Sequence, residues 1–252
     1  NIYESIVAFL ATASLGAIWS SASPDFGTQS VIDRFKQIEP KVMLTVDGYQ
    51  YGGKPFDRTK VVENIQSELP TLEATIVIPY LNKDVGLNSY KNGIHWADAI
   101  TADQPLKLAY EPIPFNDPLW ILFSSGTTGI PKPIVHSQGG ILLEHFKALT
   151  FHVDLDENSR FFWYTTTGWM MWNFLVGGLL TGSAIILYDG NPSYPHKQFL
   201  WEFAEQTKTT VFGTSASFIT DCMKNELSPG QQYNLSHLKS ISSTGSPLPP
   251  EG

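Results

Sequence analysis

The chain has 252 residues, 42% of them hydrophobic and 13% aromatic, enough apolar material for one large or two ordinary packed domains. Lys and Arg number 16 against 24 Asp and Glu, a net charge of −8, which excludes a basic field for nucleic acid or an anionic membrane. The single cysteine, Cys222, excludes an internal disulfide and fits a reducing compartment, while the apolar stretch 6–19 is too short to span a bilayer.

That stretch also lacks the basic flank and cleavage site of a signal peptide, so a cytoplasmic protein is expected. Apolar residues at Ile2, Ile6, Phe9, Leu10, Ala13 and Ala17 recur at helical spacing and predict a deeply buried helix over 2–18. Pro24-Asp25-Phe26-Gly27 turns the chain, a second helix is expected over 29–38 before Pro40, and a strand over 42–46. The rhythm repeats as a helix at 60–68 and a strand at 74–78. The turn-rich stretch 82–117 is expected to be a loop with short strand or helix pieces, leading to a strand at 119–123. Beyond it the pattern predicts a helix over 138–151, strands at 160–164, 184–188, 210–213 and 238–243, and helices at 172–180 and 199–207. Helices alternating with short β-branched runs predict an α/β fold of parallel-sheet layers with helices on both faces. A division at 158 is expected, giving a first α/β subdomain over 1–158 and a second, incomplete one over 159–252. Asn1 lies in a helical pattern and Pro249-Pro250-Glu251-Gly252 reads as loop, so both ends are expected to be cut.

Residues Ser124-Ser125-Gly126-Thr127-Thr128-Gly129-Ile130-Pro131-Lys132 follow an apolar strand directly. Glycines let several N–H groups approach one anion, threonine hydroxyls add donors, and Lys132 supplies positive charge: the chemistry of a phosphate cradle. The Walker A spacing fails, because Ile130-Pro131 separates Gly129 from the lysine and Pro133 follows it. A nucleotide loop of another kind is expected, with a plain Gly/Ser/Thr turn as the competing reading.

The run 124–132 resembles the phosphate loop of the adenylate-forming superfamily of acyl-CoA synthetases, luciferases and peptide-synthetase adenylation domains. Further motifs follow in the superfamily's order: Tyr164-Thr165-Thr166-Thr167-Gly168-Trp169-Met170-Met171-Trp172-Asn173 at its acyl pocket, Leu187-Tyr188-Asp189-Gly190 at a strand-ending turn, and Ser243-Thr244-Gly245-Ser246-Pro247 at its adenine loop. The early runs 16–21 and 23–27, with 168–173, look most like the acetoacetyl-CoA synthetase branch. The resemblance covers nearly the whole chain and implies part of the large N-terminal domain of that fold. It implies ATP-dependent activation of a short 3-oxo acid such as acetoacetate to an acyl-adenylate, then transfer to CoA, with Mg²⁺ beside the phosphates. On the same resemblance Ser124, Ser125, Gly126, Thr127, Thr128, Gly129 and Lys132 would hold phosphates, with Lys132, Thr127 and Thr128 acting in catalysis. Gly245, Ser246 and Pro247 would lie against adenine and the α-phosphate, Gly168, Trp169, Met170, Met171 and Trp172 would shape a short acid pocket, and Ser215 would stand near the pantetheine entrance. The superfamily's acidic Mg²⁺ motif, ribose-binding aspartate and small C-terminal domain with its catalytic lysine are expected after residue 252, so residues 1–252 alone are expected to be inactive. The small residue usual after the loop lysine is Pro133 here, which stiffens the loop exit.

Bulk at Trp169 to Trp172 fits a short pocket, though a Met and aromatic run also reads as core. His136 could approach a nucleotide or sit at a helix start with a local hydrogen bond. His145 and His152 are read as structural, and no metal set is completed by a Cys or carboxylate. Asp154 to Asn158 starts like a calcium loop but lacks its glycine at Ser159 and its glutamate at Thr165, which leaves a solvated turn. Asn234-Leu235-Ser236 is a glycosylation triplet in a chain with no other secretory feature. Gly213-Thr214-Ser215-Ala216-Ser217 follows a strand as a hydrolase nucleophile elbow would, but Ser217 replaces the closing glycine and only His237 lies downstream.

Overall fold

The computed structural model describes residues 1–101, 107–124 and 129–252. Packing divides the chain into two compact units, Glu4–Gln138 and Gly139–Gly252 with Asn1–Tyr3.

In the first unit, α1 (Tyr3–Ser14) is shorter than the expected 2–18. Its end is a Schellman turn: Gly16 takes φ 68°, its N–H donates to Ala13 O at 3.0 Å, and that of Ala17 to Thr12 O at 3.0 Å. Phe9 of α1 packs beside Trp19 and Trp120, with centroids 5.9 and 5.6 Å away. The chain then forms α2 (Thr28–Phe35), β1 (Val42–Val46), the hairpin β2 (Gly48–Tyr51) with β3 (Lys54–Asp57), α3 (Thr59–Ser67), β4 (Ala74–Ile78), β5 (Gly93–His95) and α4 (Trp96–Ile100). Strands β1, β4 and β5 make a parallel sheet, in register from Val42 opposite Ala74 and Thr75 opposite Gly93. Val31 and Ile32 of α2 and Val62 and Ile65 of α3 join Met43 and Val77 of that sheet in one core. The hairpin escaped the sequence reading, although Gly52 and Gly53 at φ 58° and 77° mark a two-residue turn with positive φ at both positions.

The unit closes with β6 (Pro118–Ser124) and β7 (Lys132–Ser137), an antiparallel pair. The second strand was not expected, and the antiparallel pairing departs from a purely parallel reading. Trp19 bridges β6 from its other side, which leaves β7 at the edge, where Pro133 is tolerated without a ladder N–H.

The second unit runs α5 (Gln138–Lys147), a π-helical turn over Ala148–His152, β8 (Arg160–Trp163), α6 (Met170–Gly177), β9 (Ala184–Ile186), α7 (Phe199–Gln206), β10 (Val211–Ser215), α8 (Ala216–Lys224), α9 (Pro229–Gln232) and β11 (Ser240–Thr244). Its sheet has order β11-β10-β8-β9 with all pairs parallel. Alternate strand residues feed two cores. Phe162 and Phe212 face Leu200, Trp201 and Ala204 of α7 and Phe218 and Cys222 of α8, while Phe161, Trp163 and Val211 face Leu149, Leu155 and Leu175. Helices therefore cover both faces, as the apolar runs on these strands require.

Candidate active site

The glycine-rich run links two antiparallel strands. Ser124 at the end of β6 pairs with Lys132 at the start of β7, so residues 125–131 form the connection and its two ends are held at strand spacing. Ser125, Gly126, Thr127 and Thr128 lie outside the described residues. Gly129 lies beyond the strand ends, and Lys132 is exposed to solvent. His136 is on β7 and not at a helix start; its Nδ1 accepts from Trp120 Nε1 at 2.9 Å.

The remaining candidates belong to the second unit, where one feature of the sheet gathers them. From β8 the chain moves to β9 on one side and then returns to β10 on the other, so strand order reverses between β8 and β10. Open parallel sheets bind ligands beyond the carboxyl ends of the strands at such a reversal. The segments leaving this edge are 164–169 after β8, Ser215 at the end of β10, and Gly245-Ser246-Pro247 after β11. Tyr164 N donates to Gly213 O at 2.8 Å, and Ser215 pairs in register with Thr244, so the three segments start side by side. Gly245 takes φ 91°, a conformation that admits glycine and strains a side chain, and Ser246 and Pro247 are exposed beyond it.

The run 168–172 divides by environment. Trp169 caps the N-terminus of α6 and is 53% exposed, as is Met170, whereas Trp172 is fully buried and Met171 packs against the core around Phe161. The helix starts two residues before the expected position, which turns Trp169 and Met170 outward at the sheet edge and Trp172 inward. Asn173, one turn into α6, is 1% exposed, and neither atom of its amide has a hydrogen-bond partner among the described residues; the same holds for the Thr214 hydroxyl on β10. Asn173 ended the motif run read from the sequence and Thr214 lay in the rejected elbow, but that either is left unpaired could not be read there, because nothing in a residue's type shows that its neighbours leave it unpaired.

Ser215 has φ −98° and ψ 152°, and its Oγ accepts from Phe218 N at 3.2 Å as the N-cap of α8. That is relaxed extended backbone with a capping serine, not the strained turn of a nucleophile elbow. His145 is buried against Phe174, while His152 ends the π-helical turn exposed, so the two share no face. Asp156 accepts from Ser159 Oγ at 2.7 Å and Asn158 N at 3.0 Å, and these bonds hold its carboxyl below the ordinary carboxylate value, the mark of a closed turn.

The chain matches the family described as AMP-binding enzyme over residues 1–252. It belongs to that family. Among AMP-binding enzymes it is similar to the acetoacetyl-coenzyme A synthetase of Rhizobium meliloti (strain 1021), 47% identical over 253 residues that cover 100% of this chain and 39% of the relative. The acetoacetyl-CoA synthetase of Gallus gallus is 41% identical, with 98% of this chain and 38% of the relative covered. A solved structure, acetoacetyl-CoA synthetase from Streptomyces lividans, superposes with a TM-score of 0.94 at 52% identity, covering 100% of this chain and 38% of that one. The α/β fold with its parallel sheets is thus that of the corresponding part of an AMP-binding enzyme. The chain spans under two fifths of the length of these relatives.

Proposed function

We propose that the full-length protein joins acetoacetate to CoA at the expense of ATP. The observation that carries this is the likeness along the whole chain to proteins named acetoacetyl-CoA synthetase, at 47% identity in sequence and 52% in a solved structure. In the first half-reaction the acid carboxylate attacks the α-phosphorus, an acyl–phosphate bond forms, and pyrophosphate leaves. In the second the thiol of CoA attacks the acyl carbon and AMP leaves with the bonding pair.

An anion here approaches a polyanion, so the protein's work is to offset charge and hold the attack in line. In this reading Lys132 and the donors of 124–129 hold the β- and γ-phosphates, and Lys132, Thr127 and Thr128 stabilise charge in the transition state. Gly245-Ser246-Pro247 lies against adenine, Gly168, Trp169 and Met170 line the acid site, with Trp169 as its wall and Met171 and Trp172 packed behind it, and Ser215 borders the thiol's entrance. Mg²⁺ offsets phosphate charge when bound. Among the described residues no group of His, Cys, Asp and Glu could hold a metal ion.

No helix among the described residues is long and apolar enough to cross a membrane, and with one cysteine a cytosolic enzyme is the reading these features support. The test is the complete protein with MgATP, CoA and a panel of short acids. Acetoacetate-dependent pyrophosphate release, with a kcat/KM above those for acetate, butyrate and branched four-carbon acids, is expected; a preference for any of the others refutes the acid assignment. Residues 1–252 alone are expected to release no pyrophosphate.

A further inference from the structure

The phosphate run leaves through Pro131-Lys132-Pro133, a lysine between two prolines. Each ring fixes its own φ, and Pro133 also confines Lys132 to extended backbone, the conformation it holds in β7. One soft torsion remains before the lysine: ψ of Pro131, which sets the plane of the Pro131–Lys132 peptide. That plane is held from outside the hairpin. Gln37, just beyond α2, spends both protons of its side-chain amide on two carbonyls, that of Asp33 at 2.7 Å and that of Pro131 at 2.9 Å. The first bond ties the amide to the last turn of α2, and the second pins the carbonyl next to Lys132.

The same helix steadies the other strand of the hairpin. The Arg34 guanidinium carbon lies 5.2 Å from the Phe26 ring centroid and 5.9 Å from that of Phe123, the residue before Ser124. Arg34 Nη1 also donates to Ser30 O at 2.7 Å, and Arg58 Nη2 donates to Phe26 O at 2.8 Å, so the stack cannot slide freely. Phe123 and Pro133 are register partners, so the contacts of Arg34 with Phe123 and of Gln37 with Pro131 both fall at the loop end of the hairpin.

We propose that Gln37 is a positioning residue for Lys132: by pinning the Pro131 carbonyl it completes a fixed backbone from which the lysine meets the polyphosphate of a nucleoside triphosphate. The proposal rests on the nucleotide-binding reading of the loop. A lysine whose backbone is set beforehand loses less freedom when it engages an anion, which raises affinity without a new contact.

The test is a cycle in the full-length protein with Gln37→Met, which keeps length and removes the donor, Lys132→Met, and the double variant. Equilibrium binding of MgATP is read by calorimetry. Gln37→Met is expected to raise Kd about three- to fivefold in the wild-type background, the scale of one lost hydrogen bond, and to have no further effect once Lys132 is gone. The KM for the acid and the melting midpoint are expected to stay unchanged. An equal rise in both backgrounds, a Kd unaltered by Gln37→Met, or a parallel rise in the acid's KM with a lower midpoint would each overturn the proposal. A wild-type protein that does not bind MgATP overturns it together with the nucleotide reading. A protein that binds MgATP and ignores acetoacetate overturns only the acid assignment.

Discussion

Gly213 sits at the reversal of the second sheet, and adding one methyl group there is the sharpest test of how that edge is built. A Cβ at this position would stand 2.1 Å from Trp163 Cδ2 and 2.2 Å from Cε3, where ordinary contact begins at 3.4 Å, so about 1.3 Å of separation must be found. The indole cannot supply it. Trp163 is 4% exposed and lies edge-on between Phe161, 6.2 Å away at 83°, and Phe174, 5.7 Å away at 88°. The strands must part instead, against the Tyr164 N to Gly213 O bond of 2.8 Å. Overpacking a closed core costs about 1–3 kcal/mol, and a boxed ring places Gly213→Ala near about 3 kcal/mol. For a domain of this size that lowers Tm by about 6–12 °C. The assay is thermal unfolding followed by circular dichroism, with Gly230→Ala as control: nothing lies within 4 Å of a Cβ there, so its Tm should stay within about 1 °C or rise slightly. A Gly213→Ala protein that melts within about 2 °C of wild type would refute the close approach of β8 and β10.

Lys132→Met should weaken MgATP binding by about ten- to a hundredfold, the worth of a charge-assisted hydrogen bond to phosphate, with Tm unchanged because the side chain is exposed; calorimetry and a melt check both. Trp169→Gly should raise kcat/KM for five- and six-carbon 3-oxo acids relative to acetoacetate by about fivefold or more, since each added methylene gains about 0.8 kcal/mol if it is buried. Trp172→Gly, which empties a fully buried site, should instead cost stability by about 3–5 kcal/mol, and a shift in acid preference without destabilisation would reverse the two assignments. Burial pushes the Cys222 thiol above its ordinary 9.0, with the Trp201 indole N–H acting the other way. A raised pKa means less thiolate at every pH below it, so the Cys222 peptide should remain largely unalkylated at pH 8 in the folded protein, gain label as pH rises, and label fully in denaturant, as read by mass spectrometry.

Where one physical signal dominated, the sequence was legible. Strands β1, β4, β6, β8 and β10 are apolar runs with few competing patterns, and each lies within a residue or two of its expected place. The errors fall where backbone conformation outweighs side-chain type. Helical spacing continues to Ala17, yet Gly16 in the left-handed region ends α1 at Ser14. Pro133 disguised β7, because a proline in a strand is acceptable only at an edge and the edge is a tertiary fact. The sequence reading assigned no element to α8, yet Ser215 caps a nine-residue helix whose Phe218 and Cys222 are buried by partners far along the chain. The candidate motif residues were singled out by their chemistry, but the inward turn of Trp172 and the unpaired amide of Asn173 depend on the helix phase set at Trp169.

The strand reversal explains why residues scattered between 164 and 247 can form one edge. A strand that continued in one direction would leave the loops after β8 and β10 under crossover helices, whereas the return from β9 to the far side of β8 keeps the crossovers on opposite faces and opens the edge between them. That opening is useful only if the two strands approach closely enough to hold Tyr164 and Ser215 as neighbours, and a side chain on β10 opposite Trp163 would prevent it. Gly213 meets this need by absence, and the neighbouring loops then diverge by type. After β8, α6 carries Trp169 and Met170 outward; after β11, Gly245 takes a conformation open to glycine and carries two exposed residues past the sheet. The wall after β8 is thus bulky and the turn after β11 is slender, an asymmetry that the proposed acid site at Trp169 and the proposed adenine contact at Gly245 to Pro247 would use.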